Sequence, residues 1–275
     1  MIRRRHHVPW KAAGSASEQQ QSADDVVRGT GWVFNNKRGA HLTLAEFVDT
    51  GDQETVAYLS VFGLHTPQVG SQSLVEIGSG IGRMTAGFTR LFRRVVACDL
   101  DAAFLERCRE TVAQFGKPEV LQTSHVADGR TLALPDDSAD IVFSYITLQH
   151  CHSDDALALV REAVRVARPG GHVALNFRTW VPRDVVLWPT GKLVRSTWRL
   201  PRIGSRLAQW RVATRLGWQA NRLSPRDVLP TVATALTDVA LFRSPSRRPF
   251  HLEGATDATF EGVHPSHWWL VAQVR

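Results

Sequence analysis

The chain has 275 residues, 43% of them hydrophobic and 21% charged, a balance typical of a folded globular protein. No apolar run approaches the ~18 residues of a membrane-spanning helix, and no apolar stretch follows the basic N-terminus, so we expect neither a transmembrane segment nor a secretory signal. The three cysteines form no Cys-x-x-Cys pair. A disulfide scaffold and a zinc site are therefore disfavoured, and we expect a cytoplasmic protein without a metal.

The formal net charge of +7 is concentrated in one segment. Residues 183–222 contain nine Lys and Arg side chains and one acid, Asp184, so this segment alone carries +8. It also holds four of the nine tryptophans, at positions 188, 198, 210 and 218. Cationic and indole side chains together suit an anionic partner, which can be a lipid surface or a nucleic-acid backbone.

The first part of the chain divides into a tail and a helix. Residues 1–28 are polar and low in complexity, which predicts a flexible N-terminal tail. From Leu42 to Leu64 the apolar positions follow a helical period, and Pro67 ends the pattern. We therefore place the start of the folded domain near residue 29 and its first helix before the first strand.

The most informative stretch follows, at residues 74–83, and reads Leu-Val-Glu-Ile-Gly-Ser-Gly-Ile-Gly-Arg. An apolar strand is followed by glycines at 78, 80 and 82 and then by a helix from about Arg83 to Phe92. Glycines let the backbone turn tightly and approach a ligand closely. The dinucleotide fingerprint needs its third glycine at position 83, where this chain has Arg83, so the stretch departs from that fingerprint.

The remaining pattern alternates strands and helices, which predicts a mainly parallel sheet with helices on both faces. Ligands bind such sheets beyond the carboxyl ends of the strands. The expected elements are a strand at Val95–Cys98, a helix at Ala102–Phe115, strands near Val120–Val126 and at Asp140–Ile146, a helix from Ser153 to Arg168, a strand at His172–Phe177, and a final pair at Val239–Arg243 and Trp268–Val274.

Several motifs follow one another along the chain, namely Glu-x-Gly-x-Gly-x-Gly at 76–82, Asp99 after the second strand, Asp128-Gly129 after the third, and the stretches 134–144 and 161–171. In this order they resemble the motifs of class I S-adenosylmethionine (SAM) methyltransferases. The resemblance implies an α/β fold with a doubly wound, mainly parallel sheet of seven strands and a reversed C-terminal hairpin. It also implies a methyltransferase domain over residues 29–275, with a helical lid inserted at 180–222.

The same resemblance implies SAM as the cofactor and S-adenosylhomocysteine as its product. Asp99 would accept hydrogen bonds from the ribose hydroxyls, and Glu76 would bind the loop amides or the methionine ammonium. Asp128 would lie near the adenine amino group, although a simple turn at this position is the competing interpretation. The full expected set of cofactor contacts is Glu76, Gly78, Ser79, Gly80, Gly82, Asp99, Leu100, Asp128, Gly129 and Ser144.

The acceptor is expected just after the fourth strand, at Tyr145, Gln149 and His150. An imidazole has a suitable pKa for a general base, so His150 is the candidate catalytic residue, with a positioning role as the alternative. Enzymes of this class that methylate base or amide nitrogens carry an Asn-Pro-Pro-Tyr-like loop here. This chain instead has Tyr-Ile-Thr-Leu at 145–148, which disfavours those acceptors.

The favoured function is methylation of an oxygen of a small molecule, such as a secondary metabolite, a sugar or a lipid precursor. An RNA methyltransferase using the basic segment, and a SAM-binding protein without catalysis, are the alternatives. Within that segment, helical spacing puts Ile203, Leu207, Trp210, Thr214 and Trp218 on one stripe. This stripe suits a lid helix packed on the domain, a site for an anionic or lipid-linked acceptor or a peripheral membrane contact, or a nucleic-acid surface.

Overall fold

The computed structural model describes residues 41–197, 200, 210–217 and 220–275. The expected N-terminal tail at 1–28 lies outside the described residues. So do Ile203, Leu207 and Trp218 of the apolar stripe, and so does the side chain of Thr214. The described residues therefore comprise the domain and the two helical parts of the basic segment.

One sheet organises the described chain, with the strand order β3-β2-β1-β4-β5-β8-β6-β7. Within it only β8 runs antiparallel to its neighbours, β5 and β6, while the other pairings are parallel. The mainly parallel sheet and the reversed C-terminal pair are therefore as expected. The strands are β1 Ser73–Ile77, β2 Arg94–Asp99, β3 Leu121–His125, β4 Ala139–Ser144, β5 Ala167–Arg178, β6 Leu236–Arg243, β7 Thr256–Thr259 and β8 His267–Val274.

The expectation of seven strands is wrong, because the described sheet has eight. The additional strand is β7, which pairs in parallel with β6 at the edge of the sheet. Its sequence, Thr-Asp-Ala-Thr, is short, polar and at least partly exposed, so no apolar run or alternation marks it. An ion pair of 2.7 Å between Arg243 of β6 and Asp257 of β7 fastens this edge strand to the sheet.

Helices cover both faces of the sheet, and the core is divided accordingly. The adjacent residues Trp268 and Trp269 of β8 point to opposite faces, as successive strand residues do, and both are completely buried. In the described ranges no helix combines the length and apolar character needed to cross a bilayer. The helices are α1 Leu44–Val61, α2 Thr85–Leu91, α3 Ala102–Phe115, α4 Ser153–Val166, α5 Asp184–Thr197, α6 Arg211–Gly217 and α7 Pro225–Val228.

Helix α1 is held directly against the glycine turn. Its first turn is fixed by a capping box between Thr43 and Glu46. A β-carbon at Gly51 would overlap the backbone carbonyl of Arg83, so glycine at this position allows the helix to approach the turn closely. Glu54, one turn further along the helix, forms an ion pair of 2.8 Å with the Arg83 guanidinium. The first helix is thereby placed at the ligand-binding edge of the sheet.

The described part of the basic segment contains two helices, α5 and α6, which pack on each other. A β-carbon at Gly191 of α5 would overlap the carbonyl of Leu216 of α6, so these helices also meet at a glycine. Arg195 of α5 donates to the carbonyl of Gly217 at 3.1 Å. A lid function for this pair of helices stays a prediction.

Candidate functional site

A cavity of about 190 Å³ lies beyond the carboxyl ends of β1, β2 and β4. This is the position expected for a ligand in a doubly wound sheet. The structure brings nine of the thirteen expected site residues into its wall. They are Glu76, Gly78, Ser79, Gly80, Asp99, Leu100, Gly129, Tyr145 and His150.

The three glycines of the turn have three different surroundings. All have positive φ, which favours glycine. A β-carbon at Gly78 would overlap the Thr147 side chain, whereas the corresponding position at Gly80 has no atom within 4 Å. At Gly82 a β-carbon would lie 3.2 Å from the Cα of Cys108 in α3. Gly80 therefore presents bare backbone to the cavity, while Gly82 serves the packing of α3 against the turn.

Asp99, the last residue of β2, is held in a fixed orientation at the cavity wall. Its Oδ2 accepts a hydrogen bond from the Gly80 amide at 2.9 Å, and its Oδ1 accepts one from the Asp101 amide at 2.8 Å. Burial raises the pKa of the Asp99 carboxyl to about 6, although these backbone hydrogen bonds oppose the rise. A carboxylate oriented in this way has lone pairs left for a pair of hydroxyl donors.

Glu76 lies inside β1 and is only 5% exposed. Its Oε2 accepts a hydrogen bond of 2.6 Å from the Thr85 hydroxyl. Burial raises the pKa of this carboxyl to about 7, against the lowering effects of the Thr85 hydrogen bond and the Arg83 charge. A buried acid that is costly to ionise in this cavity favours a cationic ligand group, because a nearby positive charge stabilises the carboxylate.

The raised pKa of Glu76 predicts a pH dependence of stability without ligand. The folded protein holds this proton up to pH about 7, whereas the unfolded chain loses it near 4.5. The contribution of Glu76 to the free energy of unfolding is thus fully present below pH 4.5 and is lost as the pH rises to 7, by ~3 kcal/mol. Urea titrations of Glu76→Gln over this range should show a flatter pH profile than the wild type, whereas Glu106→Gln, at an exposed position, should retain the wild-type slope. Equal slopes in all three proteins would contradict this assignment.

Four expected site residues lie outside the cavity wall. Gly82 packs against α3, and the Ser144 hydroxyl donates to the Ile77 carbonyl at 2.9 Å. Asp128 is exposed, and its Oδ1 accepts from the amides of Arg130 and Thr131 at 2.9 Å, the arrangement of a simple turn. Gln149 is buried behind His150. The adenine contact of Asp128 and the other three direct contacts stay predictions.

Another part of the cavity wall is built around Tyr145. The chain has two tyrosines, and they contact each other, since the Tyr58 hydroxyl of α1 donates to the Tyr145 hydroxyl at 3.0 Å. The Tyr145 ring stacks on Trp269 with centroids 5.3 Å apart, and the Arg83 guanidinium lies 5.7 Å from its centroid. Burial raises the pKa of Tyr145 to about 12, so this phenol is a hydrogen-bond donor rather than a base.

His150 lies at the end of a short 3-10 turn, Leu148–His150, and is 6% exposed. Its Nε2 is 3.3 Å from the Nε2 of Gln149. The Asn221 amide fixes the turn from behind by donating to the carbonyls of Leu148 and Cys151 at 2.6 and 2.9 Å. An imidazole in such a fixed position at a cavity wall can accept a proton from a bound hydroxyl.

Sequence reasoning missed Arg83, Tyr58 and Thr147 as parts of the site. Arg83 is 8% exposed and lines the cavity together with Thr147, and Tyr58 orients the ring of Tyr145. One signal was available, because Arg83 occupies the position of the third fingerprint glycine. The role of Tyr58 depends on a contact across 87 positions of the chain, which no local pattern shows.

The chain is similar in sequence to known SAM-related enzymes. A family model described as "Methyltransferase domain" matches residues 75–175. The chain is similar to a carboxy-S-adenosyl-L-methionine synthase of Pseudomonas putida, 33% identical over 126 residues, which are 44% of this chain and 51% of that protein. A malonyl-[acyl-carrier protein] O-methyltransferase of Halorhodospira halophila is 33% identical over 135 residues, 48% of this chain and 43% of that protein. The chain thus spans about half the length of the curated relatives it matches.

Solved structures show the same fold over more of the chain. The magnesium protoporphyrin IX methyltransferase of Synechocystis, solved with bound S-adenosylhomocysteine, has a TM-score of 0.51 and 14% identity, over 97% of this chain and 93% of that one. A structure from Methanococcus maripaludis, described as a putative SAM-dependent methyltransferase, also has a TM-score of 0.51, over 94% of this chain and 96% of that one. At 14% identity these likenesses describe the fold alone.

Proposed function

Because the chain belongs to the class I SAM-dependent methyltransferases, we propose that it methylates an oxygen of a small molecule, such as a secondary metabolite, a sugar or a lipid precursor. The observation that carries the proposal is one cavity lined by Asp99 and Gly80 together with Tyr145 and His150. When bound, SAM supplies a methyl group on a positively charged sulfur.

Gly80, Asp99 and Glu76 in the cavity wall fit this cofactor. The exposed backbone at Gly80 leaves room that a side chain would fill, and the Asp99 carboxylate is oriented to accept the two ribose hydroxyls. Glu76 is the acid that a positively charged group would stabilise in its ionised form. Leu100 and Val126 add an apolar wall suited to a purine ring.

Tyr145 and His150 in the same cavity wall can position an acceptor and remove its proton. The Gln149 amide lies 3.3 Å from Nε2 of His150. When the amide oxygen accepts from Nε2–H, the imidazole is neutral and the lone pair that accepts a proton is on Nδ1. Tyr145 receives a hydrogen bond from Tyr58 and retains its own proton for donation to a bound oxygen. These two side chains would orient a hydroxyl and deprotonate it as the methyl group transfers.

Two observations support a small acceptor and an oxygen atom. The volume of the cavity, about 190 Å³, suits a small molecule more than a nucleic-acid strand. The relative from Halorhodospira halophila is by its name an O-methyltransferase, and the Tyr-Ile-Thr-Leu stretch at 145–148 differs from the loop of base-nitrogen enzymes. RNA methylation and cofactor binding without catalysis are the alternatives.

Transfer of a labelled methyl group distinguishes these functions. We expect that the protein, incubated with methyl-labelled SAM and a cell extract separated into small-molecule, RNA and protein fractions, labels a compound in the small-molecule fraction. Label confined to RNA would support the alternative acceptor. Tight binding of S-adenosylhomocysteine with no labelled product in any fraction would support a SAM-binding protein without catalysis.

A further inference from the structure

The pair of helices α5 and α6 exposes an apolar surface that the proposed methyl transfer does not use. On α5, Val185, Val186 and Leu193 are 73%, 68% and 66% exposed, and on α6 Val212 is 53% exposed. Trp180, just before α5, is 45% exposed. Isolated exposed aliphatic residues are common, but several on one pair of helices mark an interaction surface.

The charge around this surface has one sign. In the sequence from 183 to 222, Asp184 is the single acid beside nine basic residues. Asp184 is completely buried, and its Oδ1 accepts from Arg178 at 3.0 Å and from Arg222 at 2.9 Å. The acid is therefore neutralised inside the protein, whereas Arg183 and Lys192, among the described basic residues of this segment, are exposed. The Lys192 ammonium lies 5.5 Å from the centroid of the Trp188 ring, so cationic and indole groups lie side by side.

The same ion cluster fixes the base of the helix pair. Arg178 ends β5, Asp184 begins α5, and Arg222 belongs to the chain that returns from α6. The preceding residue, Asn221, is hydrogen bonded to the turn that carries His150. The base of the helix pair is thus joined to the sheet and to the turn at the cavity wall, while its aliphatic side chains project into solvent.

We propose that α5 and α6 form a docking surface for an anionic lipid bilayer. Aliphatic and tryptophan side chains partition into the boundary between headgroups and acyl chains, and basic side chains beside them are attracted to anionic headgroups. A nucleic-acid backbone matches the charge, but its polar phosphates make no favourable contact with the exposed aliphatic side chains of Val185, Val186 and Leu193. This inference is independent of the proposed methyl transfer, because vesicle binding is measured without SAM.

The test is co-sedimentation of the full-length protein with phosphatidylcholine vesicles that contain or lack phosphatidylglycerol. We expect binding to the anionic vesicles, weakened by salt, and little binding to the neutral ones. Val186→Asp and Leu193→Asp should each weaken binding by about tenfold or more, because each places a charge in the apolar contact. The matched control is Val56→Asp, at a 43% exposed position of α1, which should bind as the wild type does.

Three outcomes would overturn the proposal. The first is that the wild type does not bind anionic vesicles. The second is that all three Asp variants lose binding equally, and the third is that the α5 variants bind as the wild type does. Gel-shift titration with tRNA provides the comparison with nucleic acid. Binding to tRNA that exceeds vesicle binding and is unchanged in Val186→Asp and Leu193→Asp would assign the basic segment to nucleic acid instead. Thermal unfolding of each variant, expected close to that of the wild type, excludes misfolding as the cause.

Discussion

Replacement of Asp99 by alanine is expected to weaken the binding of S-adenosylhomocysteine by at least about 100-fold. The carboxylate is oriented by the amides of Gly80 and Asp101, and in the proposed complex it accepts both ribose hydroxyls. Two hydrogen bonds to a charged acceptor contribute about 3 kcal/mol together, which corresponds to this factor. Isothermal titration calorimetry and the ligand-induced rise in melting temperature measure the loss.

Two further variants separate recognition from folding. Asp99→Asn keeps the size of the side chain and one carbonyl acceptor, so its loss of affinity should be smaller than that of Asp99→Ala while its fold is retained. Asp136 is the control, because its side chain is 74% exposed, pairs with Arg165 and does not line the cavity. Asp136→Ala should therefore bind S-adenosylhomocysteine as the wild type does. Wild-type affinity in Asp99→Ala would show that the donor site lies elsewhere.

Replacement of His150 by alanine is expected to lower kcat by about 10²- to 10⁴-fold, the usual contribution of a general base. Binding of S-adenosylhomocysteine should stay within about threefold of the wild type, because the proposed donor contacts are made by Asp99, Glu76 and Gly80 rather than by His150. Single-turnover rates with the labelled acceptor, together with calorimetry, separate the two quantities.

His152 supplies the matched control for His150. It is two residues away and also lines the cavity, but it is exposed. His152→Ala should therefore retain most of the wild-type rate. The dependence of kcat on pH gives a second readout, since loss of the base should remove the acidic limb of the profile. An unchanged acidic limb in His150→Ala, or equal loss of rate in both variants, would leave His150 with a structural role.

The elements next to the cavity could be predicted from sequence because their signals are local. Helix α3 extends from Ala102 to Phe115 as predicted, since Asp101 caps its start by accepting from the Ala103 amide. The glycines after β1 mark the turn, and apolar runs mark β1, β2 and β4. These signals depend on neighbouring residues alone, so a single sequence is sufficient to locate them.

What could not be predicted depends on contacts between distant parts of the chain. Tyr58 and Arg83 belong to the site because α1 packs on the glycine turn at Gly51, and nothing in the sequence of α1 shows that approach. Asp184 offsets one charge in a count of residues, but in the fold it is a buried partner of two arginines. The edge strand β7 is specified by its pairing with β6 rather than by an apolar pattern.

The most direct test of the central claim, that one cavity holds the donor and presents the acceptor, is a crystal structure with S-adenosylhomocysteine bound. We expect the ribose hydroxyls on Asp99, the amino group beside Glu76, and the sulfur facing Tyr145 and His150. Ligand bound outside this cavity, or a sulfur atom directed away from His150, would contradict it.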